Sequence, residues 1–172
     1  MTNRELNLLE TYAGNVLAVP QDARLSRTVE RKLQDLLYYA SVRAVDDSVA
    51  NIYDTLVKEG VSDNTLFIFA SDNGALASGP TKRGNNGKLR GGKGTPHEGG
   101  HRVANFMIWP DQIAAGQAID SNIWIGDLAP SFISVAGGNV SQDMHGMDVS
   151  DAWKDNRPVV RGQTNIAILC DV

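Results

Sequence analysis

Apolar residues in the first third of the chain recur at helical spacing. Val29, Leu33, Leu36, Leu37, Ala40, Ala44, Val45, Val49, Ile52, Leu56 and Val57 fall three or four positions apart. The run has no internal Gly or Pro, so residues 26–59 are expected to form one long helix or two helices with a bend. Ser26 suits the N-cap and Gly60 the left-handed stop. Residues 1–25 lack such a period and are punctuated by Gly14, Pro20 and Asp22. They are expected to be a short helix or an irregular lead-in.

The pattern then changes from periodic to continuous. Thr65 to Ala70 is an apolar run after the turn signal Ser62-Asp63-Asn64. Continuous apolarity predicts a strand buried on both faces of a largely parallel sheet. Residues 75–100 predict a long glycine-rich loop, and a loop of that length is usually functional or disordered. Residues 103–109 predict a second strand stopped by Pro110. Residues 122–136 fit a helix ended by Gly137-Gly138, with Asp127 as a cap and Pro130 tolerated in the first turn. Residues 165–170 read as a last short strand containing Cys170. Helix followed by buried strand gives an α/β fold class.

Composition narrows the class without naming a function. The chain has 172 residues, 42% hydrophobic and 21% charged, which suits a soluble domain with a core of its own. Net charge is −4, and no aromatic-basic stripe marks a nucleic-acid partner. No apolar run approaches the ~20 residues of a membrane helix. The opening residues show no signal peptide. A single cysteine, Cys170, forbids an internal disulfide and has no basic neighbour to activate it. Asn139-Val140-Ser141 is a glycosylation sequon of a kind that arises often by chance.

Three stretches carry candidate chemistry. Asp72-Asn73-Gly74 directly follows the first strand. It reads either as a plain turn or as half of a hard-metal site, with carboxylate and amide oxygens facing Ca2+ or Mg2+. Its place beyond a strand's carboxyl end is where α/β sheets bind ligands. Gly87-Lys88-Leu89-Arg90-Gly91-Gly92-Lys93 imitates a phosphate loop for seven positions. The eighth, Gly94, lacks the required hydroxyl, and nucleotide binding is set aside. His97-Glu98-Gly99-Gly100-His101 satisfies H-E-x-x-H as a string, yet two glycines and a loop setting argue against a zinc-peptidase helix. No Gly-x-Ser-x-Gly elbow occurs.

Several separated stretches together resemble the sulfatase family of the alkaline phosphatase superfamily, with arylsulfatase B-like members most similar. They begin with Tyr38-Tyr39-Ala40-Ser41-Val42 through Asp46-Asp47-Ser48-Val49. Gly60, Asp63-Asn64-Thr65-Leu66 and Ser71-Asp72-Asn73-Gly74 follow. Leu89-Arg90-Gly91-Gly92-Lys93-Gly94-Thr95, Glu98-Gly99-Gly100 and Arg102 come next. Trp109-Pro110, Asp127-Leu128-Ala129-Pro130, Ala136-Gly137 and Gly146-Met147-Asp148 complete the order. His97 and His101 depart from the family's usual aromatic and aliphatic residues and receive no role.

The resemblance implies a sandwich with a mostly parallel sheet flanked by helices, incomplete here, in which residues 26–172 are the later portion of a sulfatase catalytic domain. It implies that Asp72 and Asn73 bind a divalent cation, usually Ca2+, and that Lys93 contacts the sulfate of an aryl or glycan ester. It also implies a formylglycine nucleophile made from the cysteine of C-x-P-S-R, and two further metal-binding aspartates. None of these is recognisable in the sequence. The expectation is therefore a sulfuric ester hydrolase domain without its catalytic nucleophile, inactive alone. The alternatives are a noncatalytic sulfatase-like binding or regulatory module and, distantly, a zinc peptidase. Family habit suggests a lysosomal or secreted setting.

Overall fold

The computed structural model describes residues 27–76 and 82–160. The lead-in, Ser26 and the expected strand with Cys170 lie outside the described residues. The chain divides into two compact units, Met1–Ile52 and Tyr53–Val172.

Helix α1 spans Arg27–Lys58 as one uninterrupted helix, so the absence of internal Gly and Pro was sufficient to keep it whole. It ends as the sequence predicts. Gly60 adopts φ +68, its N–H donates to the Val57 C=O at 3.1 Å, and the Val61 N–H donates to the Leu56 C=O at 3.0 Å. This is the Schellman pattern, which satisfies two of the helix's last carbonyls. Arg43 pairs with Asp47 at 2.8 Å on the polar side. The apolar stripe, however, is not buried. Leu36, Leu37, Val42, Val45 and Ile52 remain 45–55% exposed.

The second unit is built around two strands. After a 3-10 turn at Ser62–Asn64 comes strand β1, Phe67–Ala70. A one-turn helix α2, Glu98–His101, leads into strand β2, Asn105–Ile108. The strands pair antiparallel, with Phe67 opposite Ile108 and Phe69 opposite Phe106. This corrects the expected parallel pairing for the two described strands. A parallel return needs a crossover connection of about a dozen residues or more, usually a helix. Among the described residues between the strands the only helix is the four-residue α2, and the chain comes back in the opposite direction. β1 is also half-buried rather than enclosed on both faces. One face carries an aromatic row, with Phe69 stacked on Phe106 at 5.3 Å and Phe67 edge-on to Tyr53 at 5.6 Å.

Met107 faces the other way, into the core with Leu66. That core is closed by helix α3, Leu128–Val135, and helix α4, Ser150–Asp155. Its centre is Trp153, with Val149 and Ala152, packed by Leu128, Met147, Ile113 and Ile123. Helix α3 follows a 3-10 turn at Ile125–Asp127 and stops like α1, with Gly137 at φ +77 and the Gly138 N–H on the Ile133 C=O at 2.8 Å. Asp127 stands at its N-cap position, but its carboxylate does not cap the helix. It is fully buried and accepts the Trp124 N–H and the Met147 N–H, each at 3.0 Å. Asp127-Leu128-Ala129-Pro130 and Gly146-Met147-Asp148 are thus stitched together by one carboxylate. Ser131, also buried, adds a second stitch by accepting the Val149 N–H at 2.9 Å.

Candidate functional site

The site is assembled where β1 ends. The Ser71 N–H donates to the Ala104 C=O at 3.1 Å, which holds the last residue before the polar triplet against β2's approach. The Asn73 N–H then donates to Asp72 Oδ1 at 2.9 Å, and the Ser71 hydroxyl donates to the Asn73 C=O at 2.9 Å. These local bonds set the triplet as a polar turn. It is not a hairpin turn, because the Gly74 N–H reaches across to the Gly100 C=O at 2.9 Å. The approach is close enough that a Cβ on Gly74 would run into the carbonyl oxygen of Gly99. Glycine is needed at 74 for contact between backbones.

Beyond Gly74 the glycine-rich segment is tied down by one side chain that sequence reading missed. Asn86 accepts the Ala75 N–H at 2.8 Å and donates to the Ala75 C=O at 3.1 Å and the Gly91 C=O at 3.0 Å. A primary amide accepts at its oxygen and donates two N–H bonds, so one side chain satisfies three backbone groups at once. Asn85-Asn86-Gly87 reads as a turn in sequence, and no local signal shows that the amide points back eleven residues. The described part of the loop is therefore an ordered clamp.

Lys93 joins the same anchor. Its N–H donates to the Ala75 C=O at 3.0 Å, so Ala75 accepts from both Asn86 and Lys93. Residue 75 lies two positions beyond Asn73, so the backbone of Lys93 is fastened two residues past the Asp72-Asn73 pair. Thr95 closes the turn after the lysine: its hydroxyl donates to the Gly92 C=O at 2.8 Å. Lys93 and Asp72 are exposed and Asn73 half-buried.

The histidine motif does not form the zinc-peptidase helix, and its two histidines are half-buried at 97 and exposed at 101. Residues 98–101 form a single helical turn, held by the Arg102 N–H on the Glu98 C=O at 2.7 Å and a Glu98–Arg102 ion pair at 3.6 Å. His97 is extended, at φ −81 and ψ 160, and precedes the helix. The two histidines do not share a helical face, and the zinc-peptidase geometry of i and i+4 on one helix is not formed. The His97 ring and Cβ instead pack at Gly91.

For a metal, Asp72 and Asn73 fit in kind. Both present hard oxygen donors at an exposed turn, the type Ca2+ and Mg2+ prefer. In number they supply two of the roughly six to eight oxygens that Ca2+ takes. Among the described residues no group of three or more His, Cys, Asp or Glu could hold a metal ion.

With this geometry established, the comparisons with known proteins place the chain. The sulfatase family model matches residues 11–138, and the chain belongs to the sulfatase family. N-acetylgalactosamine-6-sulfatase of Mus musculus is 39% identical over 140 residues, 76% of this chain and 27% of that protein. Arylsulfatase J of Mus musculus is 34% identical over 117 residues, 68% of this chain and 19% of that protein. A solved structure, Ps i-CgsB in complex with k-i-k-neocarrahexaose, superposes with a TM-score of 0.66 at 35% identity. It covers 73% of this chain and 28% of that one. The chain thus spans about a quarter of the length of the relatives it matches. No described helix is long and apolar enough to cross a membrane.

Proposed function

We propose that this chain carries one side of the site of a sulfuric ester hydrolase. Asp72 and Asn73 are ligands of a divalent cation, Ca2+ or Mg2+, and Lys93 holds the sulfate group. The observation that carries the reading is the Lys93 N–H on the Ala75 C=O, which ties the lysine to the turn that contains the Asp-Asn pair. Family membership supports the reaction class. A lysosomal or secreted setting belongs to the same proposal.

The chemistry follows from charge. A sulfate ester bears negative charge on its free oxygens, and more gathers on the departing oxygen as the S–O bond breaks. A fixed ammonium beside those oxygens stabilises that charge in the transition state. When bound, the divalent cation supplies Lewis-acid polarisation of a sulfate oxygen. The chain's own part is positional. Asn73 N–H steadies one oxygen of Asp72, Gly74 lets the backbone of 99–100 close against the turn, and Asn86 fixes the loop from which Lys93 projects.

The sequence contains no C-x-P-S-R stretch, so no attacking group of the family type is present in it. The purified chain is therefore expected to show no turnover of 4-nitrophenyl sulfate, with or without added Ca2+. Turnover that Asp72→Ala abolishes would overturn that expectation. The site itself is tested by calorimetric titration with inorganic sulfate in the presence of Ca2+. Lys93→Ala and Asp72→Ala should each weaken binding, by about tenfold for loss of one charged contact. Unchanged binding in both variants would refute the assignment.

A further inference from the structure

The loop around Lys93 carries more positive charge than one sulfate needs. Between Asp72 and Glu98 the sequence has no Asp or Glu, but it has Lys82, Arg83, Lys88, Arg90 and Lys93. A chain of net charge −4 has thus gathered five of its sixteen cations into this one segment. The fold concentrates them further. The Arg83 N–H donates to the Leu76 C=O at 2.9 Å, Asn86 binds Ala75, and Lys93 binds Ala75. Three separate points of the loop therefore fasten to two adjacent residues just beyond the Asp72-Asn73-Gly74 turn.

Between two of those fastenings the chain makes a tight turn, with the Leu89 N–H on the Asn86 C=O at 3.1 Å and Gly87 at φ +61. Lys88 sits in that turn, and Arg90 follows just before the clamp on Gly91. The Arg90 C=O accepts the Gly99 N–H at 2.8 Å, so its backbone is held while its side chain is exposed. Lys88 is exposed as well, and no carboxylate within the loop neutralises either. A lone solvated charge contributes little, but several of one sign on a fixed loop raise the local concentration of a polyanion.

We propose that Lys88 and Arg90, with Lys82, form a second anion subsite beside Lys93 that engages a neighbouring sulfate of a multiply sulfated glycan. This rests on the reading of Lys93 as the residue that holds the sulfate being cleaved. A small aryl or steroid sulfate has one anionic group and gains nothing from the outer cations. A sulfated oligosaccharide places further sulfates along the chain, so both sets of cations engage at once. The subsite therefore selects polymer over monomer.

The test uses the full chain and two probes, a sulfated carrageenan hexasaccharide and inorganic sulfate, each titrated by calorimetry at several salt concentrations. Lys88→Gln/Arg90→Gln is expected to weaken hexasaccharide binding roughly tenfold at low salt, from two exposed charges, and to flatten its salt dependence. Inorganic sulfate binding should be unchanged in that variant. Equal hexasaccharide binding by the double variant and the parent would overturn the subsite and leave the Lys93 site standing. Loss of sulfate sensitivity to Lys93→Ala would instead overturn the primary site. A single-stranded oligonucleotide of equal charge that binds as tightly, with the same sensitivity to the double variant, would overturn the glycan as ligand class. A circular-dichroism melt of the double variant matching the parent excludes misfolding as the cause of any loss.

Discussion

Asn86 shows how one side chain governs a loop. Its three hydrogen bonds to Ala75 and Gly91 are half-buried. Asn86→Ala removes all of them and leaves backbone groups without partners, at a cost of roughly 1–3 kcal/mol. The thermal midpoint should fall accordingly, and inorganic sulfate should bind more weakly because Lys93 shares the Ala75 anchor. Asn86→Asp keeps an acceptor for the Ala75 N–H but loses both donors, so it should fall between the two. A melt of Asn86→Ala that matches the parent would show that the clamp contributes nothing.

Asp148 is a residue whose charge matters to folding. Burial alone would raise its pKa, but hydrogen bonds from Ser134, from the Ser150 N–H and side chain, and from Ser131 outweigh it and hold the carboxyl below its ordinary range. A carboxyl with a lower pKa folded than unfolded stabilises the fold above its unfolded value of about 3.9, and that contribution is lost as pH falls through the folded value. The stability difference between the parent and Asp148→Asn should thus be level at neutral pH and shrink below about pH 4. A difference that grows on acidification would contradict the assignment.

At the scale of elements, helix ends were the most legible features. Gly60 and Gly137 stood in the sequence as stops, and both occupy the left-handed position of the same capping pattern. Gly60→Ala should cost about 1 kcal/mol, because a Cβ disfavours that conformation, and the loss should appear as a lower melting temperature. The positions of the two described strands were legible to within two residues, but their direction was not. Helix α4 gave no sequence signal at all. Six residues with Ala152 and Trp153 as their apolar pair are too few to show a period. The zinc-peptidase string shows the reverse case, a complete motif whose backbone does not form the helix the chemistry needs.

At the scale of the molecule, Trp153 centres the core of the second unit, 1% exposed and 6.3 Å from the Phe132 ring. Trp153→Ala should cost about 3–5 kcal/mol, close to the whole stability of a small domain. Loss of the cooperative melt is the expected readout. The half-exposed stripe of α1 has the opposite consequence. Exposed apolar area of this kind promotes association. Sedimentation should show self-association that rises with concentration and is reduced by Val42→Lys. A monodisperse monomer at high concentration would contradict it.

By itself the sequence determined what short-range physics controls. The period of α1 follows from apolar spacing, its end from Gly60, and β1 from a continuous apolar run after a turn. The order of several motifs pointed to the sulfatase family, and with it to Asp72, Asn73 and Lys93 as the candidate site. The tertiary structure decided what depends on closing loops. The antiparallel return of β2, the reach of Asn86 across eleven residues and that of Asp127 across twenty arise only when distant backbone groups meet. A side chain's local sequence specifies the bonds it is able to make. Which donor or acceptor arrives within 3 Å of it is set by the rest of the fold.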